Sequence, residues 1–254
     1  MASAIGSSTY GIKSVTYKER TYRNSVAAHD LVSFHVSVRE TDLYIAADHD
    51  LSELALASVI KHRNYLESYI KRYPDFLKSL LPVHGDRFAP VLVREMIEAG
   101  IKAQVGPMAA VAGAMAQFVG MDLLGHCENV IVENGGDIFM KTFEERRVSI
   151  FAGESPLSQK VILRIMPAEM PIGICTSSAT VGPSFSFGRA DAVCVLSQSA
   201  SLADAAASRI GNQVKKPGDI KNALNLGADI SGVKGIVIIM GKTMGAWGNI
   251  QFCE

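Results

Sequence analysis

Apolar and polar residues alternate along the first part of the chain, and this pattern predicts a set of strands within residues 12–47. Val32–Val38 has an apolar residue at every second position, which is typical of a strand with one buried face. Thr41–Ala47 follows after a short polar pair, so the two segments together predict a β-hairpin. Beyond Asp50 the apolar spacing changes to three and four residues, which predicts a long helix with Asp50 as its N-cap and Pro74 at its end.

The remainder of the chain mixes short apolar runs with further helical patterns. A helix at 90–99 is predicted to close at Gly100, and a helix at 108–119 is built mostly of small residues and methionine. The mixed order of elements predicts the α+β class, with mostly antiparallel sheets and packed helices in a single domain over 1–254. A duplicated unit of sheet and helices stays open. The other predicted elements are helices at 202–214 and 219–226, strands at 129–133, 138–141, 147–152, 160–166, 172–176, 191–197 and 235–240, and a paired tail at 246–252.

Composition narrows the classes of function. The 254 residues are 48% apolar, which is ample for a large core, and 25 basic side chains balance 25 acidic ones. Because no strong positive field exists, binding to nucleic acid is not expected. The longest run of small and apolar residues, 105–119, is too short and too rich in alanine and glycine to predict a membrane span. Four scattered cysteines and the lack of a signal-peptide pattern predict a reduced, cytoplasmic setting.

Three short motifs invite a functional interpretation, and each has a simpler structural one. Asp48-His-Asp50 could hold a metal ion, but a strand end followed by a helix cap explains it better. Gly241-Lys-Thr243 resembles the end of a phosphate-binding P-loop, yet isoleucine stands at position 236, where that loop needs glycine. His126-Cys-Glu128 could contain a nucleophile, but no base or orienting partner is identifiable, which favours a turn before a strand.

The alanine-rich stretch at 201–212 contains a stronger candidate, formed by Asp204 and Ser208. In a helix, residues four apart lie on one face with their Cβ atoms about 5–6 Å apart. Magnesium prefers one or two protein oxygens together with phosphate oxygens and water, so this pair could supply the protein ligands. The structural alternative is an acidic residue near a helix start, where it interacts favourably with the helix dipole.

Two further segments could bind a ligand through backbone amides and hydroxyls. Asn134-Gly-Gly-Asp137 follows an apolar strand, and its two glycines permit positive φ or a close approach of a ligand. A plain hairpin turn explains the same residues equally well. The segment at 174–182 offers several hydroxyls after a short strand, which could contact phosphate or simply form a turn.

These segments occur together in an order that resembles the ApbE superfamily. Asn134-Gly-Gly-Asp137, Thr176-Ser-Ser178 and Ala203-Asp-Ala-Ala-Ala-Ser208 are similar to that family's Gly-Gly-Asp, Thr-Ser-Gly and Ala-Asp-Ala-Leu-Ala-Thr motifs. Residues 111–115 are similar to its Ala-Lys-Gly-Tyr-Ala segment. The resemblance covers about 15–240 of the chain. It is strongest to the ApbE-like UPF0280 branch, in which the stretches at 19–23, 105–113 and 175–178 are typical.

The resemblance implies a T-fold-like architecture and a flavin site, and T-fold-like relatives make a homodimer plausible. ApbE enzymes use magnesium to cut FAD at its pyrophosphate and to move FMN onto a threonine or serine of a target protein, and some hydrolyse FAD instead. Carried over to this chain, Asp204, Ser208 and a backbone carbonyl within 109–111, assigned to Ala109, would bind Mg²⁺. The residues that would line the site for FAD or a related nucleotide are Asn134, Gly135, Gly136, Asp137, Thr176, Ser177 and Ser178.

The chain also departs from the family pattern at two places. Ala112 stands where the family has a lysine, and 182–188 contains neither the histidine nor the acid that the transferases have there. The catalytic residues are therefore left unassigned. Three hypotheses stay open: an ApbE-like enzyme acting on FAD with magnesium, a binding module that keeps the nucleotide site without catalysis, and a scaffold protein.

Overall fold

The computed structural model describes residues 26, 28–180 and 187–253, and within them an antiparallel sheet of eight strands dominates. The sheet follows chain order except for one excursion, a separate two-stranded sheet inserted between its fourth and fifth strands. The predicted α+β class with antiparallel sheets is thus confirmed, and the strands expected before residue 26 lie outside the described residues. The large sheet comprises β1 (Val32–Val38), β2 (Thr41–Ala47), β3 (Val130–Asn134), β4 (Asp137–Lys141), β7 (Ile172–Ser177), β8 (Ala192–Ser197), β9 (Val233–Met240) and β10 (Thr243–Gly248), and the small sheet β5 (Arg146–Ser149) and β6 (Ile162–Ile165).

The helices fall into two groups, each inserted between two pairs of strands of the large sheet. The order is β1, β2, helices, β3, β4 in the first half, and β7, β8, helices, β9, β10 in the second. This repeated order is what a duplicated unit would produce, although the number of helices differs between the halves. The first half contains α1 (Ser52–Arg72), α2 (Asp75–Lys78), α3 (Val91–Ala103) and α4 (Val111–Leu123), and the second contains α5 (Ala200–Gly211) and α6 (Ile220–Ala228).

The large sheet separates two hydrophobic cores. On one face, α1, α3, α4 and α5 pack in a core that includes Val193 and Val195 of β8. On the other face, the small sheet packs against Cys194 and Leu196 of the same strand. Side chains alternate between the faces of a strand, so a strand covered on both sides is apolar throughout. This explains why β8 and β9 have continuous apolar runs while β1, at the edge of the sheet, alternates.

Helix α5 lies unusually close to its neighbours because small residues meet at its first turn. A Cβ added to Gly113 of α4 would lie 2.3 Å from the carbonyl oxygen of Ala200, the first residue of α5. A Cβ added to Gly173 of β7 would lie 2.3 Å from the Cα atom of the same alanine. The side-chain oxygen of Gln117 accepts a hydrogen bond from the Ala200 amide at 2.7 Å. Two glycines and one amide side chain therefore fix where α5 begins.

Two predicted helix ends differ from the structure. Helix α3 continues through Gly100 to Ala103 and ends at Gln104, which has a left-handed conformation with φ 58°. Gly100 serves packing instead, because a Cβ there would lie 2.8 Å from the Val105 carbonyl oxygen. Helix α1 begins at Ser52 rather than directly after Asp50, whose Oδ1 accepts a hydrogen bond from the Ser52 amide at 2.9 Å. Asp50 thus caps the helix from one position further out.

Substitution of Gly173 tests the close contact between β7 and α5. We expect Gly173→Ala to lower the free energy of unfolding by about 1–3 kcal/mol, because the new methyl group overlaps backbone atoms of Ala200 that cannot move freely. Urea denaturation measures the change. Gly218→Ala is the matched control, since nothing lies within 4 Å of a Cβ at that exposed position, and it should change stability by less than about 0.5 kcal/mol. Equal effects of both substitutions would contradict the packing argument.

Candidate functional site

The Gly-Gly pair forms the two-residue turn of the β3–β4 hairpin. Gly135 has φ 67° and Gly136 has φ 104°, and the turn connects Asn134 to Asp137, which are paired across the two strands. Two positive φ values in succession require residues such as glycine and give the strand twist that two-residue hairpins need. The turn is also open, because a Cβ on Gly135 would meet nothing within 4 Å. The structure therefore confirms the hairpin turn, while ligand binding beside this open turn stays a prediction.

The polar residues at the ends of this turn face the helices. Asn134 and Asp137 lie on one face of the sheet because directly paired residues point the same way. The side-chain amide of Asn134 donates a hydrogen bond to the Ala112 carbonyl oxygen at 3.0 Å. Asp137 is paired with Cys175 of β7, whose thiol lies against its carboxyl group. The hairpin is therefore tied to the beginning of α4.

Asp204 reaches the same place from α5. Its Oδ2 atom accepts a hydrogen bond from the Gly113 amide at 2.9 Å, and the Ala112 amide also hydrogen-bonds to this carboxyl group. Both amides belong to the first turn of α4, where backbone N–H groups have no partner within the helix. Asp204 therefore caps a helix other than its own, which the spacing of residues in α5 could not predict.

Burial perturbs the carboxyl groups of both Asp137 and Asp204, and the charge of Asp204 also acts on Asp137. Burial raises the pKa of Asp204 to about 7, and the hydrogen bonds from Gly113 and Ala112 oppose this rise. Burial, followed by the negative charge of Asp204, raises the pKa of Asp137 well above its ordinary value. Two acids in such a place favour either a shared proton or a nearby cation. Perturbed acids beside an open turn are typical of functional sites.

The other two predicted metal ligands lie on α5 and in a short helix that packs against α5. Ser208 is half-buried on α5 one turn after Asp204, and Ala109 lies in the short 3-10 helix Pro107–Ala110, which packs against α5. Carboxylate, hydroxyl and carbonyl oxygens are the donor types that Mg²⁺ prefers, so the residues present fit this ion. Across the described ranges, no group of three or more histidine, cysteine or acidic residues could hold a metal ion. A cation at this position would complete its coordination with hydroxyl oxygens, backbone carbonyl oxygens, water and oxygens of a bound ligand.

The structure does not bring the three predicted hydroxyls together. Ser177 faces α5, with its Oγ atom 3.6 Å from the position of a Cβ on Gly211. Thr176 points to the opposite face of β7, where its hydroxyl contacts the Cys194 thiol. Ser178 lies beyond the strand, and its Oγ atom accepts a hydrogen bond from the Thr180 amide at 3.1 Å. Of the three, Ser177 alone lies on the sheet face that contains Asp137 and that α5 covers.

Two residues near the turn were missed by the sequence reasoning. Cys175 is fully buried, and its thiol donates to the Ala200 carbonyl oxygen at 3.3 Å. Burial, and after it the charge of Asp137, raises the pKa of this thiol well above its ordinary value, so it is not a ready nucleophile. Glu133 is almost fully buried, and its Oε1 atom accepts a hydrogen bond from the Gly136 amide at 2.7 Å. The sequence signal that indicates Glu133 is a single acidic residue within an otherwise apolar strand.

The remaining motifs have structural roles. Asp48 accepts hydrogen bonds from the amides of Glu128 and Asn129 at 2.7 and 3.0 Å, so it joins β2 to the beginning of β3. Burial raises the pKa of the neighbouring Cys127 to about 11, which argues against a nucleophile there. Gly241, with φ 59°, lies in the turn between β9 and β10 and not in a P-loop. In the described part of the chain, no helix is both long enough and apolar enough to cross a membrane.

Comparison with known proteins identifies the family. A family model described as "AbpE bacteria" matches residues 23–245. A UPF0280 protein from Methanococcus aeolicus is 41% identical over 221 residues, which cover 85% of this chain and 89% of that protein. A UPF0280 protein from Methanosarcina acetivorans is 38% identical over 219 residues, covering 85% and 86%. The chain belongs to the ApbE-like UPF0280 family.

Solved structures confirm the ApbE-like fold of this UPF0280 protein. The apo crystal structure of the flavinyl transferase ApbE from Pseudomonas stutzeri superimposes with a TM-score of 0.57, covering 85% of this chain and 93% of that one at 14% identity. The flavin transferase ApbE from Vibrio cholerae gives a TM-score of 0.58 at 13% identity and covers 85% and 96%. At such low identity the likeness shows the fold alone.

The raised pKa of Asp204 predicts how stability depends on pH. Because this pKa is about 7 in the folded protein and near 3.8 in the unfolded chain, the folded state retains a proton between these values that the unfolded state has lost. The free energy of unfolding should therefore fall as the pH rises from about 4 to about 7. In Asp204→Asn the perturbed Asp204 carboxyl group is gone while Asp137 still titrates, so the variant should gain about 1–3 kcal/mol relative to wild type across this window.

Urea denaturation at a series of pH values measures this difference, which should level off above pH 7. Asp229→Asn is the matched control, because Asp229 is exposed at the end of α6. We expect the control to follow the wild-type curve. Parallel curves for wild type and Asp204→Asn would show that the carboxyl group is not perturbed.

Proposed function

We propose that this UPF0280 protein binds a flavin nucleotide, FAD, together with Mg²⁺, between the β3–β4 hairpin and helix α5. The observation that carries the proposal is the placement of the Asp204 carboxyl group beside Asp137 at the beginning of α4. Both residues occupy motif positions that resemble those of the ApbE superfamily. The names of the fold neighbours, flavinyl and flavin transferases, supply the ligand class.

Charge explains why a cation belongs in this proposal. FAD has an anionic diphosphate, and the open hairpin turn adjoins two acids, so nucleotide and protein would repel each other without a positive charge between them. Asp204, Ser208 and the Ala109 carbonyl would hold Mg²⁺, with Asp137 near enough to add its charge. When bound, the ion would neutralise charge that develops on the diphosphate as its bond to AMP breaks.

The residues described at this site orient the groups that would bind the ligand, and none of them is an obvious general base. The amides of Gly113 and Ala112 hydrogen-bond to the Asp204 carboxyl group and so fix its orientation towards the site. Asn134 joins the hairpin to α4 and so keeps the two sides of the site in register. In the proposed reaction, cleavage of the pyrophosphate releases AMP, and FMN passes to water or to a hydroxyl of a target protein.

Incubation with FAD and Mg²⁺ tests the enzymatic proposal. We expect AMP together with FMN, or with a flavin-labelled target protein, to form only when Mg²⁺ is present, and separation of the products by chromatography measures both. Asp204→Asn and Asp204→Ala should lose at least about tenfold in rate, because each removes a charged cation ligand. Asp229→Asn should retain the wild-type rate. Unchanged FAD with the wild-type protein, and no protein-bound flavin, would reject enzymatic cleavage.

A binding module without catalysis is the second candidate function. One sequence observation favours it, the lack of a histidine or an acid in 182–188, where the transferases have both. In that case FAD with Mg²⁺ should raise the melting temperature without any product, because a ligand that binds the folded state alone stabilises it. The shift should disappear in Asp204→Ala. No thermal shift with FAD, FMN or riboflavin would reject flavin binding in either form.

A further inference from the structure

We infer that Glu133 keeps phosphate groups away from the Gly135–Gly136 turn and so decides which end of the ligand faces it. Glycine-rich turns often bind phosphate through free backbone amides. In this chain the Gly136 amide is already engaged, since it donates a hydrogen bond to Glu133 Oε1 at 2.7 Å. The buried Glu133 carboxylate therefore occupies the Gly136 N–H group that a phosphate-binding loop would offer to a phosphate.

The position of Glu133 is fixed by the sheet. It is the fourth residue of β3, paired with Tyr44 on one side and with Ile138 on the other. Its neighbour Asn134 points to the helices, so Glu133 begins on the opposite face and its side chain turns back to the hairpin. Only 3% of the Glu133 surface is exposed. A change of rotamer alone therefore does not move its carboxyl group away from the turn and into water.

The charge of Glu133 acts together with that of Asp137. The negative charge of Glu133 contributes to the raised pKa of Asp137, which shows that the two carboxyl groups are within electrostatic reach through the protein. A phosphate placed at the Gly136 amide would have to displace Glu133 and would then face two acids. Like charges brought together at a binding surface oppose association, so this repulsion disfavours the orientation that places a phosphate at the turn.

The consequence for the ligand rests on the proposed function. The diphosphate of FAD would lie towards Asp204 and the beginning of α4, where a cation and the helix dipole can balance its charge. An uncharged part of the nucleotide would then lie against the open side of the Gly135–Gly136 turn. Glu133 is in this sense a specificity residue, since it acts through the turn and takes no part in the reaction.

Inorganic pyrophosphate without metal is a direct probe of this inference. Its binding at the turn can be followed by the amide signal of Gly136 in ¹H–¹⁵N NMR spectra of the whole chain. In the wild-type protein we expect this signal to stay unchanged at millimolar pyrophosphate. In Glu133→Ala, where the amide has lost its acceptor and the charge is gone, the signal should shift with an affinity at least about tenfold higher than in wild type.

Glu133→Gln tests the effect of the charge separately from that of the hydrogen bond. It also provides the test if Glu133→Ala fails to fold. Its side-chain carbonyl can still accept from Gly136, so pyrophosphate should shift the Gly136 signal less than in Glu133→Ala but more than in wild type. Glu128→Gln is the matched control, an exposed glutamate just before the same strand, and should behave as wild type. It changes the net charge by the same amount far from the turn.

The outcomes separate this inference from the proposed function. A shift of the Gly136 signal in wild type, or no shift in either Glu133 variant, would overturn the exclusion of phosphate. Riboflavin, FMN and FAD are titrated in parallel with Mg²⁺ to test flavin binding itself. If no flavin binds while pyrophosphate reaches Gly136 only in the Glu133 variants, the exclusion of phosphate by Glu133 holds and the flavin proposal fails.

Discussion

The contact of α4, β7 and α5 at Ala200 is the constraint on which the rest of the site depends. Gly113 and Gly173 each leave space where a side chain would overlap the backbone of Ala200, and the Gln117 side chain accepts from its amide. These contacts set the beginning of α5 against both neighbours. Four residues later, Asp204 then meets the first turn of α4. Without the two glycines the helices would separate and Asp204 would lose its partners.

This arrangement gives one residue a structural and a functional role. One oxygen of Asp204 is held by an amide at the start of α4, which stabilises the carboxylate and satisfies a backbone group that has no partner in the helix. Burial destabilises the same charge, which in turn acts on the neighbouring Asp137. A carboxyl group balanced between these effects has a fixed orientation and responds strongly to a cation, as a ligand-binding acid must.

The fold could be predicted from local patterns because its strands and helices have clear periodicity. The β1–β2 hairpin and the long α1 follow directly from apolar spacing of two, or of three and four. Because glycine is common at helix ends, the sequence predicts an end at Gly100, whereas in the structure this glycine leaves room for the Val105 carbonyl as the chain turns back after the helix. Strand alternation places Thr176 and Ser177 on opposite faces, so the hydroxyls of 176–178 cannot act as one group.

The site was harder to predict because its partners are far apart along the chain. Asp204 and Gly113 are separated by 91 residues, and no local pattern connects an acid inside one helix to the first turn of another. The Gly-Gly turn shows the same limit of prediction from the sequence. Its positive φ values can be read from the sequence, but the engagement of the Gly136 amide depends on how the Glu133 side chain folds back. A shared motif therefore transfers the shape of the turn, while the chemical groups that the turn offers to a ligand are decided by the residue beside it.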